Sequence, residues 1–193
     1  EAKVVNLKGQ QLFPGLIAPT TALGLMEIPA VRATVDTSEV GTYTPEVKSW
    51  LAVNPDSELI PVARANGITH FLPVPQGGTI TGQSGLMATA GWGYENMLTH
   101  SPVALHLFWP SMNINPTADD AKKQAKERDK RLKKIDDFFE EARAYAKSQS
   151  APGHKGVPSW DAMLPWVLGE KPLIIHANSV MQIESAVNWA IKR

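Results

Sequence analysis

Leu12-Phe13-Pro14-Gly15-Leu16-Ile17-Ala18-Pro19-Thr20-Thr21-Ala22-Leu23-Gly24-Leu25 is the segment on which the reading of this chain turns. It enters through Pro-Gly, runs apolar for a few residues and leaves through a glycine. Leu16 to Leu25 therefore reads as a strand and the loop that follows it. Upstream, residues 1–11 read as one short strand, a turn at Gly9 and the approach to Phe13.

Downstream, residues 26–57 are rich in Pro, Thr, Asp and Val without a firm period and read as a long excursion. Ser57 to Asn66 carries Leu59, Ile60, Val62, Ala63 and Ala65 at helical spacing, with Pro61 tolerated early and Gly67 as a stop. Ile68 to Val74 is apolar enough to be a strand buried on both faces. Gly77 to Gly85 reads as a loop of small residues between strand and helix, and Pro102 to Trp109 as the next strand.

Thr117 is expected to cap the longest helix, with Asp119 and Asp120 in its first turn. Leu132, Ile135, Phe138, Phe139, Ala142, Tyr145 and Ala146 form its apolar stripe. Its first half, from Lys122 to Lys134, is charged and reads as a solvated face. Ser148 to Pro158 is a linker, and Ser159 is expected to cap a helix with Trp160, Met163, Leu164 and Trp166. Pro172 to Asn178 is a further strand, and Met181 to Lys192 a last amphipathic helix. The order β, excursion, βα, β, long helix, βα is the rhythm of a parallel α/β architecture.

The chain has 193 residues, 43% of them apolar, enough for one substantial core. Its 19 basic and 19 acidic residues cancel, so no nucleic-acid footprint is expected. The longest apolar runs are too short to span a bilayer, and no membrane association is expected. No charged segment followed by an apolar stretch opens the chain as a signal peptide would. With no cysteine, disulfides and thiolate metal sites are excluded. Fifteen prolines and six tryptophans suit a loop-rich globular protein and not a disordered one.

A family resemblance rests on seven stretches taken in order: Phe13 to Ile17, Gly24 to Ile28, Ala33 to Thr37, Ala52 to Ser57, Ala63 to Thr69, Gln76 to Gly85 with Gly91-Trp92, and Pro172 to Ala177. Together they resemble the N-terminal half of the amidohydrolase superfamily, in the branch of imidazolonepropionases and Xaa-Pro dipeptidases. The resemblance implies an α/β fold, a partial (β/α) TIM-type barrel preceded by the last strand of a small β-sandwich. Residues 1–11 would be the sandwich remnant, and 12–193 the first half of the barrel with a helical insertion around 117–150. A full barrel takes roughly 200 to more than 400 residues, and four strands fit here. A companion chain or the remainder of the same polypeptide would complete it, unless the chain has settled into another architecture.

The same resemblance implies a hydrolase of carbon–nitrogen bonds, in a non-peptide substrate or a dipeptide, using zinc or another divalent metal. It also implies a periplasmic or secreted location. In the family the opening strand reads Pro-Gly-Leu-Ile-Asp-Ala-His-Thr-His, and the two histidines bind the metal. Thr20 and Ala22 stand at those positions. A hydroxyl is a poor zinc ligand and a methyl group is none.

His176 ends an apolar strand and matches a strand-end histidine of the family, so it is the candidate metal ligand. Gln83, Ser84 and Thr81 in the glycine-rich loop, together with His106, are the candidate substrate-binding residues. His106 could point into a pocket beside Trp109, whereas His70 reads as structural. Ser84 lacks the Gly-x-Ser-x-Gly setting of a nucleophile elbow, and Gly77 to Gly85 lacks the Gly-Lys-Ser/Thr of a phosphate loop. Asp36, Glu39, Asp56 and Glu58 suit turns and caps. A second reading is a non-catalytic barrel subunit that binds a small molecule or scaffolds a companion chain.

Overall fold

The computed structural model describes residues 4–117 and 120–193. Five strands form one mixed sheet in chain order: β1 (Leu16–Thr21), β2 (Ile68–Pro73), β3 (Ile80–Ala88), β4 (Leu98–Phe108) and β5 (Leu173–His176). β1 pairs with β2 and β4 with β5 in parallel, whereas β3 runs antiparallel to both of its neighbours. The carboxyl ends of β1, β2, β4 and β5 therefore lie at the same edge of the sheet.

β3 departs from the sequence reading, which has four strands. Gly77 to Gly85 was expected to be a loop between strand and helix, but only its first residues are; from Ile80 onward the chain is β3. Its small residues serve close packing. A Cβ on Gly85 would lie 2.8 Å from Leu98 Cδ1 and 3.2 Å from Trp50 Cε3. β4 is also longer than the expected 102–109.

Residues 4–7 have no regular structure and Lys8-Gly9 form a turn; the first three residues of the expected opening strand lie outside the described residues. The excursion expected over 26–57 runs from 22 to 58, held by short 3-10 turns at Arg32–Thr34 and Ser49–Ala52. α1 (Leu59–Ala65) ends before Gly67, whose φ of +85° turns the chain into β2.

After the single turn α2 (Tyr94–Met97), the long helix α3 (Ala121–Ser148) follows β4. Thr117 does not cap it: its N–H and hydroxyl both bond Asn115 Oδ1, and α3 begins four residues later. Asp120 precedes the helix without a side-chain cap, and Asp119 lies outside the described residues. In α4 (Pro158–Val167) Pro158 takes the first helical position, so Ser159 is inside the helix and Val157 is the cap.

Strand alternation divides the sheet into two faces. Leu105 and Leu107 of β4, beside Leu173 and Ile175 of β5, face a helix layer of Ile135, Phe139 and Ala142 from α3, Met163 and Trp166 from α4, and Ala186 from α5 (Val180–Ile191). His106 and Phe108, beside Ile174 and His176, take the opposite face. A second core joins Phe71, Met87 and Met97 to Leu25, Trp50 and Val53 of the excursion and Ile60 of α1. Among the described residues no helix is long and apolar enough to cross a membrane.

α5 is anchored to the carboxyl end of β4 by its cap. Ser179 Oγ accepts from Gln182 N at 3.3 Å, and Gln182 Oε1 accepts from Ser179 N at 3.2 Å. Gln182 Nε2 also donates to Trp109 O at 3.0 Å. Ser179→Ala is expected to lower stability by about 1 kcal/mol, read as a shift of the urea midpoint with an unchanged slope.

Candidate functional site at the strand ends

In barrels of parallel strands, chemistry sits at the carboxyl ends of the strands. Here that edge carries Thr20, Thr21 and Ala22 at the end of β1, Pro73 at the end of β2, Trp109 just past β4, and His176 at the end of β5. Thr21 Oγ1 is spent on the local turn, accepting from Leu23 N at 3.1 Å. The excursion overhangs part of this edge. With Pro75, it walls a groove of about 480 Å3 that includes Asp36, Glu39, Glu46 and Lys48.

The expected substrate-binding residues on β3 are all buried, at 4% exposure or less. Thr81 Oγ1 donates to Pro75 O at 2.7 Å, and Gln83 Nε2 donates to Pro45 O at 2.9 Å. Ser49 of the excursion lies 2.6 Å from Pro73 O and 3.0 Å from Gln83 O and shares its proton between them. These bonds clamp the excursion onto the sheet. Ser84 Oγ is buried without a partner.

His106 and His176 meet. In-register pairing of β4 with β5 sets Phe108 beside His176 and His106 beside Ile174, all on the face away from the helices. His106 Nδ1 lies 2.9 Å from His176 Nε2. Phe108 stacks on the His176 ring at 4.2 Å between centroids, fixing its plane. His106 has no exposed surface. Burial, with a smaller contribution from His176 beside it, pushes its pKa down to about 3. Burial lowers His176 as well. Both rings are therefore neutral at pH 7, the form that can ligate a metal or accept a proton. His106 points into this pair and away from the face of Trp109. Among the described residues His70 bonds only its neighbour, Thr69 Oγ1, at 3.1 Å.

The donor set falls short of the metal that the resemblance implies. A catalytic zinc takes three protein ligands. Among the described residues no group of three His, Cys, Asp or Glu side chains comes together. His176 is the one imidazole at the strand ends, its Nε2 is engaged by His106, and β1 offers a hydroxyl and a methyl. These residues do not by themselves make a catalytic metal centre.

The sequence singles out His106 and His176 separately and does not show that they touch. They lie 70 positions apart, joined only by the β4–β5 register. The stacking of Phe108 and the clamp by Ser49 and Pro45 were equally unannounced. The signal that was present is a histidine in each of two apolar strands, at positions where alternation can put both on one face.

No family model matches the sequence, and no curated protein matches it. Among solved structures, the crystal structure of an amidohydrolase from Thermotoga maritima MSB8 is similar over 100% of this chain, with a TM-score of 0.81 and 22% sequence identity. The match covers 52% of that protein, so this chain spans about half its length. The five-stranded sheet and its helices thus form a partial barrel, and the fold of this chain is amidohydrolase-like.

Proposed function

We propose that the complete protein is an amidohydrolase-like hydrolase of carbon–nitrogen bonds, acting on a small non-peptide substrate or a dipeptide. The observation that carries this reading is the likeness of the entire chain to a structure described as an amidohydrolase. The position of His176 at the strand ends supports it. A stoichiometric metal would draw at least two ligands from outside the described residues, in a companion chain or the remainder of the polypeptide. Leu16 and Ile17 on β1, and Ile183 and Val187 on α5, stay half-exposed or more, as surfaces that the other half of a barrel would cover.

The replacement of both strand-one histidines by Thr20 and Ala22 favours a second reading, a non-catalytic barrel subunit that binds a small molecule or scaffolds a companion chain. Elemental analysis of the full-length protein, beside a panel of dipeptides and acyl amides, separates the two. The hydrolase reading expects about one zinc or manganese per complete barrel, hydrolysis of at least one panel member, and loss of both on chelation. Metal-free protein that binds panel members without turnover establishes the second reading.

A further inference from the structure

Two polar atoms on the inner face of the sheet are buried without a partner, Ser84 Oγ and His106 Nε2, and both residues have 0% exposure. Gly82 pairs with His106 and Ser84 with Ala104, with no register shift between them, so Ser84 and His106 share one face as diagonal neighbours. Diagonal neighbours sit ~7–8 Å apart between Cα atoms. At that spacing the two side chains are within reach of each other. Since they make no direct hydrogen bond, a single water between them would pair both atoms. Without one, each atom would bear the full cost of an unmade hydrogen bond.

On its other side His106 shares one proton with His176, and the two neutral rings admit two arrangements. In one, both rings carry the proton on Nδ1; in the other, both carry it on Nε2. The Nε2–H form is the intrinsically more stable tautomer of a neutral histidine side chain, and the second arrangement puts both rings in it.

We propose that Ser84, His106 and His176 form a hydrogen-bond relay of fixed polarity. His176 Nε2–H donates to His106 Nδ1, and His106 Nε2–H donates through one buried water to Ser84 Oγ. His176 is thereby held with an unprotonated Nδ1 at the strand ends. No described residue bonds that nitrogen, and it is not among the buried unpartnered atoms. It receives a hydrogen-bond-donating group of a ligand, such as an amide or amine N–H. Ser84 and His106 are positioning residues: they act on the ligand only through the tautomer of His176. The relay lies in the site of the hydrolase reading but stands on hydrogen-bond geometry, and holds whether or not the protein turns over a substrate.

Long-range proton–nitrogen NMR of the full-length protein labelled with 15N-histidine, metal-free at pH 7, tests it. Both rings are expected to show Nε2–H with bare Nδ1. Ser84→Ala is expected to move the His106 Nε2 resonance and leave the His176 tautomer unchanged. His106→Asn, whose amide oxygen accepts from His176 Nε2–H, is expected to preserve that tautomer, and His106→Leu to let it average. An Nδ1–H pattern on both rings overturns the relay, as does a His106 Nε2 resonance indifferent to Ser84→Ala. The wild-type and Ser84→Ala spectra decide the matter even where His106→Leu fails to fold. Neither metal nor substrate enters the readout, so its failure is distinct from failure of the hydrolase reading.

Discussion

Lowering the pH from 7 to 4.5 is expected to weaken the fold by about 3 kcal/mol through His106 alone. The folded ring stays neutral down to about 3, held there first by burial and then by His176 beside it. In the unfolded chain the same imidazole binds a proton near its ordinary value of 6.5. Below that value the unfolded state holds more protons, so stability falls with pH. The contribution is complete above pH 6.5, is lost between 6.5 and about 3, and levels off below. Two pH units of one proton, at about 1.4 kcal/mol each, give the figure. His176, also shifted downward, adds loss of the same sign. Urea midpoints measured against pH for the native protein and for His106→Gln isolate the effect, since glutamine does not titrate. Parallel curves for the two proteins between pH 7 and 4.5 would show that His106 is protonated as easily folded as unfolded. The exposed ion pairs of α3 do not confuse the difference. Lys133–Asp137 and Arg143–Glu140 lie on the helix surface and are common to both proteins.

The sequence reveals those parts of the fold in which local chemistry and tertiary role agree. β2 is an apolar run that is buried over its second half, Phe71 to Pro73, and α1 stops where Gly67 adopts a positive φ. The stripe of Ile135, Phe139 and Ala142 on α3 faces the sheet as its spacing requires. β3 is not legible in the sequence because there the two disagree. Gly77, Gly78, Gly82 and Gly85 lower the local preference for a strand, and they are present because other backbone and side chains press against them. Such crowding is a property of the folded molecule and leaves no period in the sequence. The site divides the same way. That Thr20 and Ala22 bring no imidazole to the end of β1 is legible residue by residue. The contact of His106 with His176 requires the register of two parallel strands joined by a long helical connection, and no local pattern encodes that register.

Gly82→Ala is expected to destabilise the protein by roughly 2–6 kcal/mol, from about 1–3 kcal/mol of backbone strain and about 1–3 kcal/mol of overpacking. Gly82 has φ of +123°, a conformation that residues with a Cβ rarely adopt. An added Cβ would lie 2.6 Å from Val47 O and 2.8 Å from Val47 Cβ. The excursion cannot simply retreat, because Val47 O accepts from Gln83 N at 2.8 Å and Ser49 is bonded to Pro73 and Gln83. Moving Val47 breaks those bonds, and moving β3 displaces the strand opposite His106. Gly153→Ala is the matched control: φ is +78°, yet nothing lies within 4 Å of the added Cβ. It is expected to cost about 1 kcal/mol, the strain without the crowding. Thermal and urea unfolding of the two variants would separate these contributions. Equal losses would mean that the excursion does not press on β3, and the burial of Ser84 and His106 would then need another cause. A much larger loss for Gly82→Ala, with His106 and His176 losing a single tautomer in the surviving folded fraction, would tie the site directly to that clamp. The excursion would then be the element that keeps bulk solvent and rival partners away from the buried end of the histidine pair.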